Sequence, residues 1–125
     1  TPWTDLSALV FDAPDPLALA EFYCGLLGYE IRTAEPKWVT IGPPGGGTRL
    51  SFQHEPLFRR PTWPSETDKQ QMMTHLDIEV RDLEAAGAHA KNLGATLAGF
   101  QPQQDVRVWL DPAGHPFCLW VREEA

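Results

Sequence analysis

A predicted strand beginning at His75 alternates ionisable and apolar side chains over the stretch HLDIEV. Successive side chains of a strand point to opposite sides, so His75, Asp77 and Glu79 should share one face, and Leu76 and Ile78 the other. A histidine beside a carboxylate can act as a general base, and it can equally be a hydrogen-bonded packing residue. The stretch therefore predicts a polar face, with His75 and Asp77 as the candidate catalytic residues if the protein is an enzyme.

A second candidate for chemistry is Cys118, in the closing segment FCLW. A buried cysteine is usually a small apolar side chain, and its activation as a nucleophile requires a neighbouring base or cation. An internal repeat places His75 near it as a candidate base. Trp120 has the same strand parity as Cys118, so both side chains should lie on one face. Aromatic walls stack planar ligands and attract cations, which predicts a ligand pocket here.

The elements that would position these residues come from the internal repeat. Segment 75–80 aligns with segment 8–13 at an offset of 67 residues, and Asp15 and Asp82 keep that offset. Beyond one inserted proline, the apolar residues of both copies recur at spacings of 3, 4 and 3. This spacing is one face of a helix. The chain is therefore predicted to contain two copies of a strand–helix unit.

The first predicted helix begins at Pro16, after the cap Asp15, and ends near Leu27, before Gly28. One apolar face of this helix should pack on a sheet, and the opposite apolar face should be covered by another surface. We therefore expect a homodimer whose interface covers either the second face or the exposed edge of the sheet. The face that repeats in both copies is formed by Leu17, Ala20, Cys24 and Leu27. The second face is formed by Leu19, Phe22 and Leu26.

Short predicted strands complete each copy, and the second helix runs from the cap Asp82 to about Leu93. The order βαβββ occurs twice, which indicates an α+β fold with helices on one face of curved antiparallel sheets. Trp109 is expected in the core and Trp3 over a sheet. The predicted strands span 6–13, 29–32, 37–41, 49–54, 75–80, 95–98, 105–110 and 117–122.

The domain organisation follows from the same repeat. We expect one domain over residues 1–125, with a first module at about 6–55 and a second at 74–122. The proline-rich, charged segment 56–73 is the expected linker, since a loop of this length is usually functional or a connection between units.

Composition excludes several classes of function. The formal net charge is −7 and no Lys/Arg run occurs, which argues against nucleic acid and anionic membrane surfaces as partners. No apolar run approaches the ~20 residues of a membrane span. The two cysteines make no disulfide framework and no signal-peptide pattern opens the sequence, so we expect a cytoplasmic protein.

The repeat, the HLDIEV strand and the closing hairpin DPAGHPFCLW resemble the glyoxalase / bleomycin-resistance / extradiol-dioxygenase superfamily, the vicinal oxygen chelate proteins. Together with PTWP at 61–64, these motifs are similar to its glyoxalase-like domain branch. The resemblance covers nearly the whole chain. It implies two modules whose sheets curve around a shared concave site, and frequent homodimers.

The resemblance also implies four metal-ligand positions, which are Ala8, Ser51, His75 and Cys118 in this sequence. Alanine has no donor atom, and an octahedral site for Mg, Mn, Ni or Fe needs several hard ligands. We therefore expect no metal and no other cofactor. A zinc ion shared by His75, Cys118 and further groups such as Asp77 is the alternative.

An acidic chain with aromatic walls and no metal resembles the drug-sequestering branch of the superfamily. The expected function is metal-independent binding of a small molecule, such as an antibiotic or another aromatic compound. The alternatives are a glyoxalase-superfamily lyase or isomerase that uses His75 and Asp77, and a ligand-sensing module. The expected ligand-binding residues are Trp38, Ser51, Gln53, Trp63, His75, Asp77, Cys118 and Trp120, with Trp38 and Trp63 at the rim.

Overall fold

The structure, a computed structural model, describes residues 2–122. The chain divides into two compact units, unit 1 up to Phe58 and unit 2 from Arg59. Each unit contains one open four-stranded sheet and one α-helix, which confirms the α+β class and the two βαβββ modules. Within the described residues, no helix is long and apolar enough to cross a membrane.

The elements follow the predicted order. Unit 1 contains β1 (Ala8–Ala13), α1 (Pro16–Leu27), β2 (Glu30–Glu35), β3 (Trp38–Gly42) and β4 (Arg49–His54). Unit 2 contains β5 (Leu76–Val80), α2 (Leu83–Asn92), β6 (Thr96–Leu97), β7 (Val106–Leu110) and β8 (Pro116–Val121).

The strand orders are β1-β4-β3-β2 in unit 1 and β5-β8-β7-β6 in unit 2. The first strand of each unit pairs in parallel with the last, and all other pairs are antiparallel. The helix returns the chain to its starting end, so the fourth strand, two reversals later, runs in the direction of the first. The sheets are therefore mixed rather than purely antiparallel.

The main-chain register repeats between the two units. Val10 pairs with Ser51 across β1 and β4, and Asp77 pairs with Cys118 across β5 and β8. Both members of the first pair lie 67 residues before their counterparts in the second. The sequence repeat is thus a repeat of strand pairing.

Helix α1 has the predicted ends. Asp15 caps it by accepting a hydrogen bond from the Ala18 amide at 3.2 Å, and Pro16 is the first helical residue. Gly28 ends the helix in the left-handed region at φ +72°, and its amide donates to the Cys24 carbonyl at 2.9 Å. Glycine adopts this backbone conformation without steric cost.

The buried face of α1 includes only Ala20 of the face that repeats in both copies, together with residues of the second face. Leu17 is 44% exposed, whereas Leu19 and Phe22 are buried. The rings of Tyr23, Phe11 and Phe52 stack on one another in a cluster, with centroids 5.7 to 6.1 Å apart, and this aromatic packing sets the rotation of the helix. Since Leu19 and Phe22 are already buried within the chain, the dimer interface expected over this face is wrong. A dimer through the edge of the sheet stays a prediction.

Helix α2 packs closely against β7. Trp109 is buried, as predicted, and a Cβ atom at Gly87 would lie only 2.8 Å from its Cζ2 atom. Glycine at this helical position therefore lets the indole approach the backbone. Trp3, in contrast, is 88% exposed, so the expectation that it covers a sheet is wrong.

The turn between β7 and β8 is organised by the buried carboxylate of Asp111. This side chain accepts hydrogen bonds from the amides of Ala113 and His115, both at 2.9 Å. Its second oxygen lies 2.9 Å from the ring Nδ1 of His115. His115 thus has a polar role within this loop.

Candidate functional site

A cavity of about 250 Å³ lies on the sheet of unit 2, on the side opposite to the buried Phe117 and Leu119. Strand alternation puts the side chains of β8 that face the cavity on the side turned away from the apolar core. The lining residues are His75, Asp77, Gln103, Asp105, Val106, Cys118, Trp120 and Val121. Four of the predicted site residues therefore lie together: His75, Asp77, Cys118 and Trp120.

Strand register explains this grouping. Asp77 is directly opposite Cys118 across β5 and β8, and Val106 is directly opposite Trp120 across β7 and β8. His75 precedes β5 by one residue and has the parity of Asp77, so its side chain reaches the same face. Three neighbouring strands thus supply the floor of the cavity.

His75 and Asp77 are in direct contact. The Nε2 atom of His75 lies 3.0 Å from Oδ1 of Asp77, where it can donate a hydrogen bond to the carboxylate. This contact orients the imidazole and leaves Nδ1 as the acceptor nitrogen. Both side chains are partly open to solvent, at 35% and 64% exposure, so they remain accessible to a ligand.

Cys118 is unsuited to nucleophilic attack in this setting. Burial raises the pKa of its thiol to about 11, and the charge of Asp77 and a hydrogen bond to that carboxylate act in the same direction. The thiolate is the nucleophilic form of cysteine, and at neutral pH it is a minor species here. A Cys118–His75 nucleophilic pair is therefore disfavoured in the metal-free protein.

Trp120 forms an aromatic wall of the cavity, and a cationic side chain lies close to its ring. The guanidinium carbon of Arg122 lies 5.4 Å from the centroid of the indole ring. Arg122 also donates to Glu79 at 2.9 Å, and this hydrogen bond lowers the pKa of the Glu79 carboxyl. The indole therefore attracts a positive group within the protein itself, which is the behaviour expected of a cation–π acceptor.

Four lining residues were not among the sequence candidates: Gln103, Asp105, Val106 and Val121. Val106 could have been found from the hairpin, because in the antiparallel register its partner is Trp120. Gln103 and Asp105 precede β7 in irregular structure, although the predicted strand began at residue 105, and no periodicity gives their side-chain direction. Asp105 adds a second carboxylate to the cavity beside that of Asp77.

The predicted site residues of unit 1 form hydrogen bonds within their own sheet. The indole N–H of Trp38 donates to Oγ1 of Thr40 at 3.0 Å, and that hydroxyl lies 2.9 Å from Oγ of Ser51. Ser51 is only 1% exposed. Gln53, one pleat further along β4, donates to Asp12 at 2.7 Å. Trp38 and Ser51 are thus joined through Thr40, and Gln53 forms a separate pair with Asp12.

Trp63 does not line the cavity of unit 2. Its indole N–H donates to the carbonyl of Phe100 at 3.1 Å, and the centroids of the two rings are 6.0 Å apart. Its contact partner lies between β6 and β7 in the same unit. The structure therefore gives Trp63 an internal packing contact and places it apart from Trp120.

The octahedral metal implied by the resemblance does not fit the residues present. Ala8 has no donor, and the hydroxyl of Ser51 is buried and hydrogen-bonded to Thr40. Only His75 and Cys118 of the four positions carry side chains that commonly bind metals, and thiolate is a soft ligand. A site with several hard oxygen and nitrogen donors is therefore not formed at these positions.

The family comparison matches residues 8–120 to the family described as "Glyoxalase-like domain". No curated protein matches the chain. Among solved structures, a glyoxalase/bleomycin resistance protein/dioxygenase family enzyme from Burkholderia phytofirmans is similar with a TM-score of 0.69 and 18% identity, over 94% of this chain and 98% of that one.

Two further structures share the fold. A possible glyoxalase from Bacillus cereus has a TM-score of 0.68 and 11% identity, over 94% of this chain and 99% of that one. TnmS3, an antibiotic binding protein from Streptomyces, has a TM-score of 0.64 and 17% identity, over 98% and 99% of the two chains. At these identities the similarity concerns the fold.

Proposed function

Because this chain belongs to the glyoxalase-like domain family, we propose that it binds a small molecule in the manner of bleomycin-resistance proteins and sequesters an antibiotic or another aromatic compound. The observation that carries the proposal is the cavity of unit 2, where Trp120 lies beside the polar groups of His75 and Asp77. Ligand sites typically combine an apolar wall with a few fixed polar groups. Side chains would hold the ligand without the octahedral metal of the family enzymes.

Each lining residue has a role in this proposal. Trp120 stacks on the planar part of the ligand, and His75 and Asp77 form hydrogen bonds to its polar substituents. Asp77 and Asp105 make the cavity acidic, and the chain carries a formal net charge of −7, which favours neutral or cationic compounds. The fold of TnmS3, an antibiotic binding protein, supports this class of ligand.

A cytoplasmic location forms part of the proposal. Both cysteines are free thiols, which is the usual state in a reducing compartment. Sequestration would therefore act on compounds that have already entered the cell.

Calorimetric titration of the metal-free protein with bleomycin and with daunorubicin tests the proposal. We expect saturable binding of at least one of these compounds. Val106→Phe should block it by adding a ring to the cavity wall, whereas Ala85→Phe adds the same ring to an exposed position of α2. Equal binding by both variants, or no binding of either compound by the wild type, would contradict the proposal.

An enzymatic alternative is favoured by one observation, the 3.0 Å contact between His75 and Asp77 in the cavity. A histidine oriented by a carboxylate can abstract a proton, as a lyase or isomerase requires. Mass spectrometry and NMR of the recovered ligand separate the two functions. A sequestering protein returns the ligand unchanged, whereas turnover that is lost in His75→Gln would favour the enzyme.

A further inference from the structure

Three donor atoms of different kinds meet at one side of the unit 2 cavity. The ring nitrogen of His75, a carboxylate oxygen of Asp77 and the sulfur of Cys118 all lie within 4.8 Å of one another. Nε2 of His75 and Oδ1 of Asp77 are 3.0 Å apart. The cavity therefore contains a nitrogen, an oxygen and a sulfur ligand that converge on one small volume.

The backbone fixes this convergence. Asp77 and Cys118 occupy directly opposite positions of the parallel pair β5–β8, and His75 is two residues before Asp77 on the same side of the chain. Metal–ligand bonds of about 2.0 Å to N and O and about 2.3 Å to S place tetrahedral donors roughly 3.5 Å apart. All three atoms already lie within 4.8 Å of one another, and the exposure of His75 and Asp77 leaves their side chains room to adjust toward that spacing.

We propose that unit 2 alone binds a thiophilic divalent cation, with Zn²⁺ as the natural candidate, through His75, Asp77 and Cys118. Imidazole, carboxylate and thiolate are the three ligand types that zinc takes in proteins, whereas Mg²⁺ and Mn²⁺ prefer sets made only of oxygen and nitrogen. This ligand set includes Asp77, which the family's metal positions do not, and excludes Ala8 and Ser51. The ion would bind Cys118 as the thiolate, with release of its proton to solvent.

Such a site gives the cavity a second kind of occupant, beyond the organic ligand of the proposed function. Three protein ligands leave a fourth position for water or for a donor atom of a bound molecule. Trp120, Val106 and Asp105 surround the remaining space of the same cavity. Ion and organic molecule are therefore expected to influence each other's affinity.

The test is a titration of metal-stripped protein with Co²⁺ and with Cd²⁺, followed by the thiolate-to-metal charge-transfer absorption in the ultraviolet. We expect one equivalent to produce the band, Zn²⁺ to displace Co²⁺, and a large excess of Mg²⁺ to leave the band unchanged. Cys24→Ser, which removes the other free thiol, is the matched control and should retain the band. Cys118→Ser should lose it.

The other two ligands are tested by Asp77→Asn and His75→Ala, each of which should weaken binding at least tenfold, as losses of single ligands or their partners do. If both bind as tightly as the wild type, Cys118 holds the ion without these two residues and the proposal fails. X-ray absorption of the wild-type Zn²⁺ complex must show one sulfur ligand, which keeps the test valid if Cys118→Ser does not fold. Binding of bleomycin and daunorubicin is measured on metal-free protein, so the failure of either proposal is seen separately.

Discussion

Trp120 offers the largest apolar surface among the side chains that line the unit 2 cavity, and the guanidinium of Arg122 lies 5.4 Å from its ring centroid. Trp120→Ala should weaken binding of a planar ligand by about 1 kcal/mol, or roughly fivefold, because a stacking wall is lost. Calorimetry of the variant measures the change. Trp63→Ala removes an indole that packs on Phe100 outside the cavity. If both variants lose the same affinity, the ligand does not lie on Trp120.

His75 is the residue on which both proposals converge. His75→Ala should weaken ligand binding and leave the fold intact, because the apolar face of its strand is formed by Leu76 and Ile78. Ligand titration and a thermal melt measure the two properties. The control is His89→Ala, on an exposed part of α2. Unfolding of the His75 variant would instead assign this side chain a purely structural role.

At the level of the helices, the contact between α2 and β7 depends on the absence of a side chain at Gly87. Gly87→Ala would place a Cβ atom 2.8 Å from Cζ2 of the buried Trp109, so the ring or the helix must move. Overpacking of this kind costs about 1–3 kcal/mol, which urea denaturation can measure. Gly99→Ala, where no atom lies within 4 Å of the added Cβ, should be nearly neutral. Equal stability of the two variants would contradict the packing described.

The β7–β8 turn depends on the carboxylate of Asp111. Asp111→Asn replaces an acceptor of hydrogen bonds from Ala113 and His115 with a group that also carries donors. Leaving a buried amide without its partner costs about 1–3 kcal/mol in the free energy of unfolding. Asp12→Asn, at an exposed carboxylate that accepts from Gln53, should change stability by less than about 0.5 kcal/mol. A reversed order in chemical denaturation would show that the turn is held in another way.

The ends of the elements could be predicted from the sequence because they depend on local chemistry. Asp15, Pro16 and Gly28 act through the backbone of their own turns, and the boundaries of α1 agree with them. The face of α1 could not be predicted from spacing, since apolar residues surround the helix and periodicity offers two solutions. The stack of Tyr23 with Phe11 and Phe52 decides between them, and this contact joins distant segments.

The candidate site divides in a similar way. Strand alternation was sufficient to group Asp77, Cys118 and Trp120, because residues paired across neighbouring strands point to the same face of the sheet. Parity alone does not tell whether a polar side chain is available to a ligand. Ser51 has the parity of a site residue, yet its hydroxyl is buried against Thr40. Gln103 and Asp105 lie in irregular structure, which strand and helix periods do not describe.

At the scale of the whole molecule, we expect a homodimer, although not through the face of α1 that the sequence indicated. Large apolar side chains remain exposed elsewhere, among them Trp3, Leu6 and Val10. Contact between two copies would remove such surface from water. Light scattering at micromolar concentration should give twice the chain mass of 14.0 kDa. Trp3→Ser with Leu6→Ser tests whether these two side chains contribute, and a wild-type mass of one chain would contradict the expectation.

The shared register of the two units points to a common evolutionary origin. Tandem duplication of an ancestral half would leave this trace, with Val10 opposite Ser51 in one copy and Asp77 opposite Cys118 in the other. Main-chain pairing tolerates any side chain on the open face of a sheet, so each copy can drift in chemistry while its ladder stays intact. In the first copy, the hydroxyls of Thr40 and Ser51 are hydrogen-bonded to each other. In the second copy, the side chains of His75 and Asp77 are partly exposed to solvent. The two halves can therefore take on different functions without a change in topology, because only the side chains at equivalent strand positions need to differ.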